Sequence, residues 1–157
     1  MTFAIYYSVK QRGGDLMIGV LIATHGDFGK EILKSSELIL GKQDHTLTLS
    51  LNYGDSIEKF GEQIVNAIQS LENGSGVLVF TDLLGASPYN ATALNSNKVN
   101  NARFRCICGV NLPMVLEALT MRNNYDLDKL TEQCMEAGMS GIKELFQELN
   151  IYNKKNN

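Results

Sequence analysis

The sequence predicts a single α/β domain with a doubly wound, mainly parallel sheet and helices on both faces. From residue 17 onward, apolar strand-like segments alternate with segments of helical periodicity. A chain of 157 residues, 44% hydrophobic and 20% charged, has the size and composition of one globular domain. Its net charge of −3 gives no electrostatic reason to expect nucleic acid as a partner.

Each predicted element has its own local signal. The third strand is continuously apolar, as a central parallel strand should be, and the second strand alternates polar and apolar residues. The first helix should end at Gly41, and the second should begin with a capping box of Asp55 and Glu58. The third helix should open with Ser87 as N-cap and Pro88 in the first position. The predicted strands are 17–23, 45–51, 76–81 and 104–110, and the predicted helices are 28–40, 57–73, 88–94, 112–119 and, within 127–149, a last helix broken near Gly138 or Gly141.

The two ends of the chain differ from this pattern. Residues 1–16 are short and mixed, and their positive charges follow the apolar stretch, which is the wrong order for a secretory signal. We therefore expect residues 1–16 to be a non-native or disordered extension, with Met17 as the natural start. The domain then spans residues 17–149, and the polar tail 150–157 is expected to fray.

The cysteines and the hydropathy pattern indicate a cytoplasmic protein. An odd count of three cysteines without a secretion signal favours reduced thiols. Cys106 and Cys108 share one face of a predicted strand and are interpreted as small core hydrophobes. No apolar run approaches the roughly 20 residues that span a bilayer.

His25 and Asp82 are the candidate catalytic residues. Each follows an apolar strand, and the carboxyl ends of parallel strands meet at one edge of the sheet. A carboxylate bonded to one ring nitrogen fixes the tautomer and leaves the other nitrogen free as a nucleophile. A structural histidine and a turn aspartate are the alternatives, but their equivalent positions favour a phosphoryl site. The other histidine, His45, begins a strand and is expected at the surface or an edge.

Small residues beside this pair could bind an anion. Gly26 allows close approach of the backbone, the amides near Gly85 and Ala86 can donate, and Ser87 can donate its hydroxyl or serve as an N-cap. The sequence has no nucleotide-binding glycine motif, no serine-hydrolase motif and no metal-ligand spacing. We therefore expect no metal and no cofactor.

Three segments in register resemble the IIA component of the mannose-family sugar phosphotransferase system (PTS). They are Ala-Thr-His-Gly at 23–26, Thr-Asp-Leu-Leu-Gly-Ala-Ser-Pro-Tyr-Asn at 81–90, and Gly-Val-Asn-Leu-Pro-Met at 109–114 with Glu-Ala-Leu at 117–119. The similarity runs from residue 17 to about residue 145. The family has Gly-Gly where this chain has Gly85-Ala86, a change that a backbone-amide role should survive.

The resemblance implies a phosphohistidine carrier. His25 would accept a phosphoryl group from the phosphocarrier HPr and pass it to a histidine of a IIB component, and the membrane IIC and IID components would take part indirectly. Asp82 would orient His25, and Ser87 would contact the phosphoryl group. The family fold forms a homodimer, often with an exchanged edge strand, for which residues 119–127 are the expected region.

The local composition agrees with a carrier that must release its cargo. Residues 20–29 and 76–95 contain no Lys or Arg, so the site lacks a tight cationic clamp. Phe28, Leu83, Leu84 and Met114 could form an apolar rim for partner docking, and core packing is the alternative role expected for at least half of them.

Two other functions remain open from the sequence. A related domain serves as the phosphocarrier subunit of dihydroxyacetone kinases. A non-catalytic regulatory module of the same fold would bind an anion or a protein at this edge, and His25 would then be dispensable.

Overall fold

The computed structural model describes residues 16–155, with side chains described as far as Ile151, so residues 1–15 of the predicted extension lie outside the described residues. Within this range the chain forms a four-stranded parallel sheet with helices on both faces, which confirms the predicted fold class. In chain order the described elements are β1 (Gly19–His25), α1 (Phe28–Leu40), β2 (Thr46–Leu51), α2 (Ile57–Leu71), β3 (Val77–Thr81), α3 (Ser87–Leu94), a 3₁₀ turn (Ser96–Lys98), β4 (Phe104–Cys108), α4 (Leu112–Met121), α5 (Leu127–Ser140) and α6 (Leu145–Lys155).

Two hydrophobic layers cover the two faces of the sheet. Because successive side chains of a strand point to opposite faces, the apolar β1 and β3 supply both layers. One layer joins Ile22 and Phe80 to α1, α4 and α5, and the other joins Leu21 and Val79 to α2 and α3. The buried strands thus form a rigid support for the loops at their carboxyl ends.

The strand order β2-β1-β3-β4 places a topological switch point between β1 and β3. The chain leaves β1 toward β2 on one side, and it later builds β3 and β4 on the other side. Loops leaving adjacent strands in opposite directions open a crevice at the carboxyl edge, where α/β proteins bind ligands. His25 ends β1 and Asp82 follows β3, so both residues lie at this crevice.

The N-caps of two helices lie one residue away from the predicted ones. Helix α2 is capped by Ser56, whose Oγ accepts from the backbone N–H of Lys59 at 3.3 Å, so the predicted capping box of Asp55 and Glu58 is wrong. Asp55 instead closes the preceding turn by accepting from the backbone N–H of Asn52 at 2.7 Å.

Helix α3 begins at Ser87, and its N-cap residue is Ala86, which has an extended backbone. The prediction of Ser87 as the N-cap is therefore wrong. Pro88 occupies the second helical position, where a backbone N–H would have no intrahelical acceptor, so its absence costs no hydrogen bond.

The C-terminal part is helical on both sides of a break. Helix α5 ends at Ser140, and its C-cap is Gly141, one of the two predicted break positions, where an added Cβ would overlap Pro113. Helix α6 continues to Lys155, into the segment predicted as a frayed tail. Its apolar residues continue at helical spacing, and α6 makes no extensive contact with the other described elements.

A buried arginine anchors the amino-terminal edge of the sheet. Arg122, at the end of α4, is only 4% exposed, and burial lowers its pKa to about 10. Its guanidinium donates to Gln43 Oε1 (3.2 Å), Asp44 O (2.8 Å), His45 O (3.3 Å) and Thr46 Oγ1 (3.0 Å). The planar group therefore ties α4 to the start of β2.

A carboxylate has the corresponding role beside β3. Glu72 accepts from the backbone N–H groups of Gly74 (2.6 Å), Gly76 (3.0 Å) and Arg103 (2.9 Å). Burial alone would raise the pKa of Glu72, but these hydrogen bonds outweigh it and hold the pKa below the ordinary value.

The cysteines are free, as predicted. Burial raises the pKa of Cys106 to about 11 and that of Cys134 to about 12, so both are protonated thiols at neutral pH. Among the described residues, no helix combines the length and the apolar character that a membrane crossing needs.

Candidate functional site

His25 is held at the tip of β1 by contacts of its neighbours. The backbone N–H of Gly26 donates to Leu51 O at 2.8 Å, and Gly26 itself has a φ of +52°. Thr24, which is fully buried, accepts from the backbone N–H of Gly29 through Oγ1 at 2.8 Å. These bonds fold the β1–α1 loop tightly and leave the His25 side chain 48% exposed.

Asp82 fixes the imidazole of His25, as the sequence predicts for this pair. Its Oδ2 lies 2.8 Å from His25 Nδ1 and accepts from the His25 backbone N–H at 2.8 Å. Its Oδ1 accepts from the backbone N–H of Leu83 at 2.9 Å. One carboxylate therefore orients the ring and the backbone of His25 together.

The charge state of Asp82 determines the tautomer of His25. Burial alone would raise the pKa of Asp82, but the bonds from the His25 backbone and ring and from Leu83 outweigh it, so the pKa lies below the ordinary value. An ionised carboxylate can only accept a hydrogen bond, so Nδ1 carries the ring proton. The lone pair of Nε2 is then free for reaction.

The loop after β3 places main-chain donors beside this pair. Gly85 has a φ of +75°, and the carbonyl of Gly85 accepts from Asn90 Nδ2 at 2.7 Å. The first amides of α3 have no side-chain cap, and among the described residues the hydroxyl of Ser87 has no hydrogen-bond partner. A helix start with unsatisfied N–H groups and a free hydroxyl is suited to an anion.

The segment 109–114 supports the site from behind. Gly109 N–H donates to Asp82 O at 3.1 Å, and Asn111 caps α4 through Oδ1 while its Nδ2 donates to Gly138 O at 3.1 Å. Met114 is buried at 5% exposure, so its predicted place in the apolar rim is wrong. It packs against Gly138 of α5, where a Cβ would overlap the Met114 side chain.

The carboxyl edge also has features that the sequence reading missed. Phe28, Leu83 and Leu84 are exposed, as predicted for the rim, and Tyr53 and Ile57 of the β2–α2 connection are exposed as well. The position of an aromatic residue two residues after the end of a strand was the available signal for Tyr53. Thr24 was missed because its role depends on the fold of the following loop.

The described residues include no cluster of His, Cys, Asp or Glu that could bind a metal. His45 lies at the opposite end of the sheet, before β2. The site thus contains one imidazole, one carboxylate and several N–H and O–H donors, which suits reversible attachment of a phosphoryl group to Nε2.

Comparison with known proteins places this geometry in a family. The model of the EIIA-man family, described as the PTS system fructose IIA component, matches residues 19–135. The chain belongs to the EIIA-man family. Its fold and the three segments that resemble the mannose-family IIA component agree with this membership.

Curated EIIA-man relatives and a solved structure are similar to the chain over most of its length. It is 31% identical over 131 residues to the PTS system mannose-specific EIIAB component of Escherichia coli, covering 83% of this chain and 40% of that protein. It is 33% identical over 114 residues to the PTS system fructose-specific EIIA component of Bacillus subtilis, covering 73% of this chain and 77% of that protein. The crystal structure of the phosphotransferase system component EIIA from Streptococcus agalactiae aligns with a TM-score of 0.71 and 30% identity, over 82% of this chain and 97% of that one.

Proposed function

We propose that this EIIA-man protein is a cytoplasmic phosphohistidine carrier of a mannose-family sugar PTS. It accepts a phosphoryl group from HPr on His25 and passes it to a histidine of the IIB component, and through IIB it serves the membrane IIC and IID components. One observation carries the proposal: Asp82 bonds to Nδ1 of an exposed imidazole and leaves Nε2 free. The free thiols support a reducing compartment.

In the transfer step the Nε2 lone pair of His25 attacks phosphorus in line with the bond that joins phosphorus to the donor. A new P–N bond forms as that bond breaks, and its electron pair returns to the donor atom. No proton has to move at His25, because Nδ1 keeps its hydrogen throughout. The ring becomes cationic, and the Asp82 carboxylate at 2.8 Å stabilises that charge.

The phosphoryl oxygens lie near donors that do not trap them. We assign the contacts to the main chain around Gly26, Gly85 and Ala86 and to the hydroxyl of Ser87. The N–H groups of Gly26 and Ala86 already donate to Leu51 O (2.8 Å) and Leu83 O (3.2 Å), so the amides assigned as donors are those of Gly85 and Ser87. Amides and one hydroxyl stabilise the developing charge without the ion pair that a guanidinium would form. This moderate stabilisation suits a group that must leave again in the next step.

We further propose that two copies form a homodimer through α6. The residues at helical spacing on this helix and just before it are exposed; they are Ile142, Leu145, Phe146, Leu149 and Ile151. Such an apolar stripe is typical of a helix that packs against a partner.

The segment 119–127, expected to take part in strand exchange, is anchored within one chain by the buried Leu119, Arg122 and Leu127. Helix α6 is therefore the better candidate for contact between copies. Light scattering after size exclusion should give a dimer for the native chain and a monomer for Phe146→Ser/Leu149→Ser. A monomer for both would overturn the dimer.

The decisive experiment for the carrier role is phosphorylation by phosphoenolpyruvate, enzyme I and HPr, followed by intact mass. The native chain should gain one acid-labile phosphoryl group, and His25→Ala should gain none. His45→Gln is the matched control and should be phosphorylated like the native chain, since His45 lies at the other end of the sheet. No gain by the native chain beside an active HPr would overturn the proposal and favour a binding module.

A further inference from the structure

The loop between β3 and α3 is tied to a single residue in the first turn of α3. Asn90 Nδ2 donates to the carbonyl of Gly85 at 2.7 Å, and the Asn90 backbone N–H donates to the carbonyl of Ala86 at 2.9 Å. The backbone bond is the ordinary bond between positions i and i−4 at the start of a helix. The side-chain bond is additional, and it reaches one residue further back into the loop.

The loop needs a restraint at this point because of Gly85. The N–H of Ala86 donates to Leu83 O at 3.2 Å, so residues 83–86 form a turn, in which Gly85 has a φ of +75°. Since glycine adopts positive and negative φ with similar ease, Gly85 by itself does not fix the peptide that follows it. The 3.2 Å bond lies at the long end of the usual range and the 2.7 Å bond from Asn90 at the short end. Asn90 is therefore the firmer restraint on this peptide.

The restrained peptide lies between two free amides. Both ends of the peptide group that joins Gly85 to Ala86 are bonded, the carbonyl to Asn90 and the N–H to Leu83. The N–H groups on either side of it, those of Gly85 and Ser87, have no acceptor among the described residues. These are the two amides assigned above to the phosphoryl oxygens. Their relative direction follows from the orientation of the peptide between them.

We infer that Asn90 is a positioning residue for phosphoryl transfer. It fixes the peptide between Gly85 and Ala86 and so holds the two flanking amides ready for the phosphoryl group on His25. It also keeps the Gly85 carbonyl, whose negative end would repel a phosphoryl oxygen, turned toward α3. Donors that are already oriented stabilise developing charge without the cost of reorganisation. The inference rests on the proposed function and adds a residue that acts on the site through the main chain.

Transfer from phosphorylated HPr to Asn90→Ala tests this role. The kcat should fall about tenfold while KM stays within about twofold of the native value, because the oriented amides act only when phosphorus reaches His25. Asn90→Gln retains the side-chain amide and should recover most of the rate. A native kcat for Asn90→Ala would overturn the inference. A raised KM at native kcat would also overturn it, since Asn90 would then contribute to binding HPr rather than to the transfer step.

Asn95→Ala is the matched control. Asn95 makes the same kind of bond at the other end of α3, from its Nδ2 to Ala91 O at 2.8 Å, and its side chain packs against Gly61 of α2. Asn95 is half-buried whereas Asn90 is exposed, so Asn95→Ala should have the lower urea midpoint of the two variants. It should nevertheless transfer at the native rate, because the loop is untouched. Equal slowing in both variants would show that any loosening of α3 suffices and would overturn the positioning role.

Amide NMR provides a readout that a merely structural role would not move. In the native chain, phosphorylation should shift the N–H proton resonances of Gly85 and Ser87 downfield as both groups bond to phosphoryl oxygens. The shifts should be smaller in phosphorylated Asn90→Ala and native in phosphorylated Asn95→Ala. The ring proton of His25 should remain on Nδ1 in every variant, because Asp82 is unchanged. Native shifts in Asn90→Ala would contradict the inference.

Phosphoramidate, a small chemical phosphoryl donor, separates this inference from the proposed function. It needs no docking, so it should phosphorylate His25 equally fast in the native chain and in Asn95→Ala, and about tenfold more slowly in Asn90→Ala. If the native chain reacts no better than His25→Ala, the proposed function fails. If the native chain reacts and Asn90→Ala reacts equally fast, only the positioning role of Asn90 fails.

Discussion

The Asp82→Asn substitution should slow phosphoryl transfer strongly while leaving the fold intact. The carboxylate accepts three N–H groups, two at Oδ2 and one at Oδ1, at 2.8–2.9 Å. An asparagine of the same shape has one oxygen and one NH₂ group, so one of its two ends must meet an N–H donor. In one orientation Leu83 N–H loses its acceptor, and in the other His25 Nδ1 meets an NH₂ group. The second orientation favours the tautomer with its proton on Nε2, which cannot attack.

The size of the effect follows from these contacts. At least one hydrogen bond to a charged acceptor is lost, which costs about 1.5–3 kcal/mol. If the loss falls on the transition state, where the ring becomes cationic, transfer slows about 10- to 150-fold. The cost to folding should be smaller, because the pair lies at an exposed edge and water can replace part of the bonding.

Rapid-quench measurement of transfer from phosphorylated HPr gives the rate, and ¹⁵N NMR of the imidazole reports which ring nitrogen carries the proton. The native chain should show a protonated Nδ1, and Asp82→Asn should show a mixture or the other tautomer. Asp27→Asn is the control, since Asp27 shares the loop but bonds to Lys30 and Ser50 rather than to His25. A rate within about threefold of native, with Nδ1 still protonated, would refute the orienting role of Asp82.

Three further predictions follow from other contacts. Ser87→Ala should slow transfer about tenfold and change the free energy of unfolding by no more than about 0.5 kcal/mol, because the hydroxyl caps no helix; equal rates in rapid quench would contradict this. Arg122→Lys should lower the free energy of unfolding by about 2 kcal/mol in urea titration, since an ammonium cannot replace the forked bonds to residues 43–46, while phosphoramidate still modifies His25; an unchanged urea midpoint would count against the anchor. Because the pKa of Glu72 is lowered in the folded state, its contribution to stability is complete above the ordinary value of 4.5 and is lost as the pH falls toward the folded-state pKa. The Tm of Glu72→Gln should therefore fall less between pH 6 and pH 3.5 than the Tm of the native chain. Parallel curves of Tm against pH for the two proteins would disprove the linkage.

The sequence predicted most of the fold because its signals are local and repeated. Each apolar strand is followed by a helical period, and the His25 and Asp82 positions follow from where two such strands end. The two side chains lie 2.8 Å apart, between His25 Nδ1 and Asp82 Oδ2. This proximity was predictable because the carboxyl ends of adjacent parallel strands meet at one edge of the sheet.

The wrong predictions concern positions whose structure depends on a choice between neighbouring residues or on a contact between elements distant in sequence. Asp55 and Ser56 are both residues that favour the N-cap position, so the sequence does not distinguish them. The structure assigns the cap to Ser56 because Asp55 already closes the preceding turn. Met114 resembles a rim residue by its place after a loop, but it is buried because α5 presents Gly138 to it. Such a contact between separate helices has no local signature.

Asp82 Oδ2 accepts two hydrogen bonds from His25, one from the ring and one from the backbone. This pair of bonds affects the timing of a carrier cycle. It holds the imidazole in one orientation, so Nε2 faces a single direction of approach. For a carrier built in this way, donor and acceptor occupy the same space in turn and cannot be bound together. The residence time of each partner therefore enters every cycle, and an interface that bound too tightly would slow the flow of phosphoryl groups.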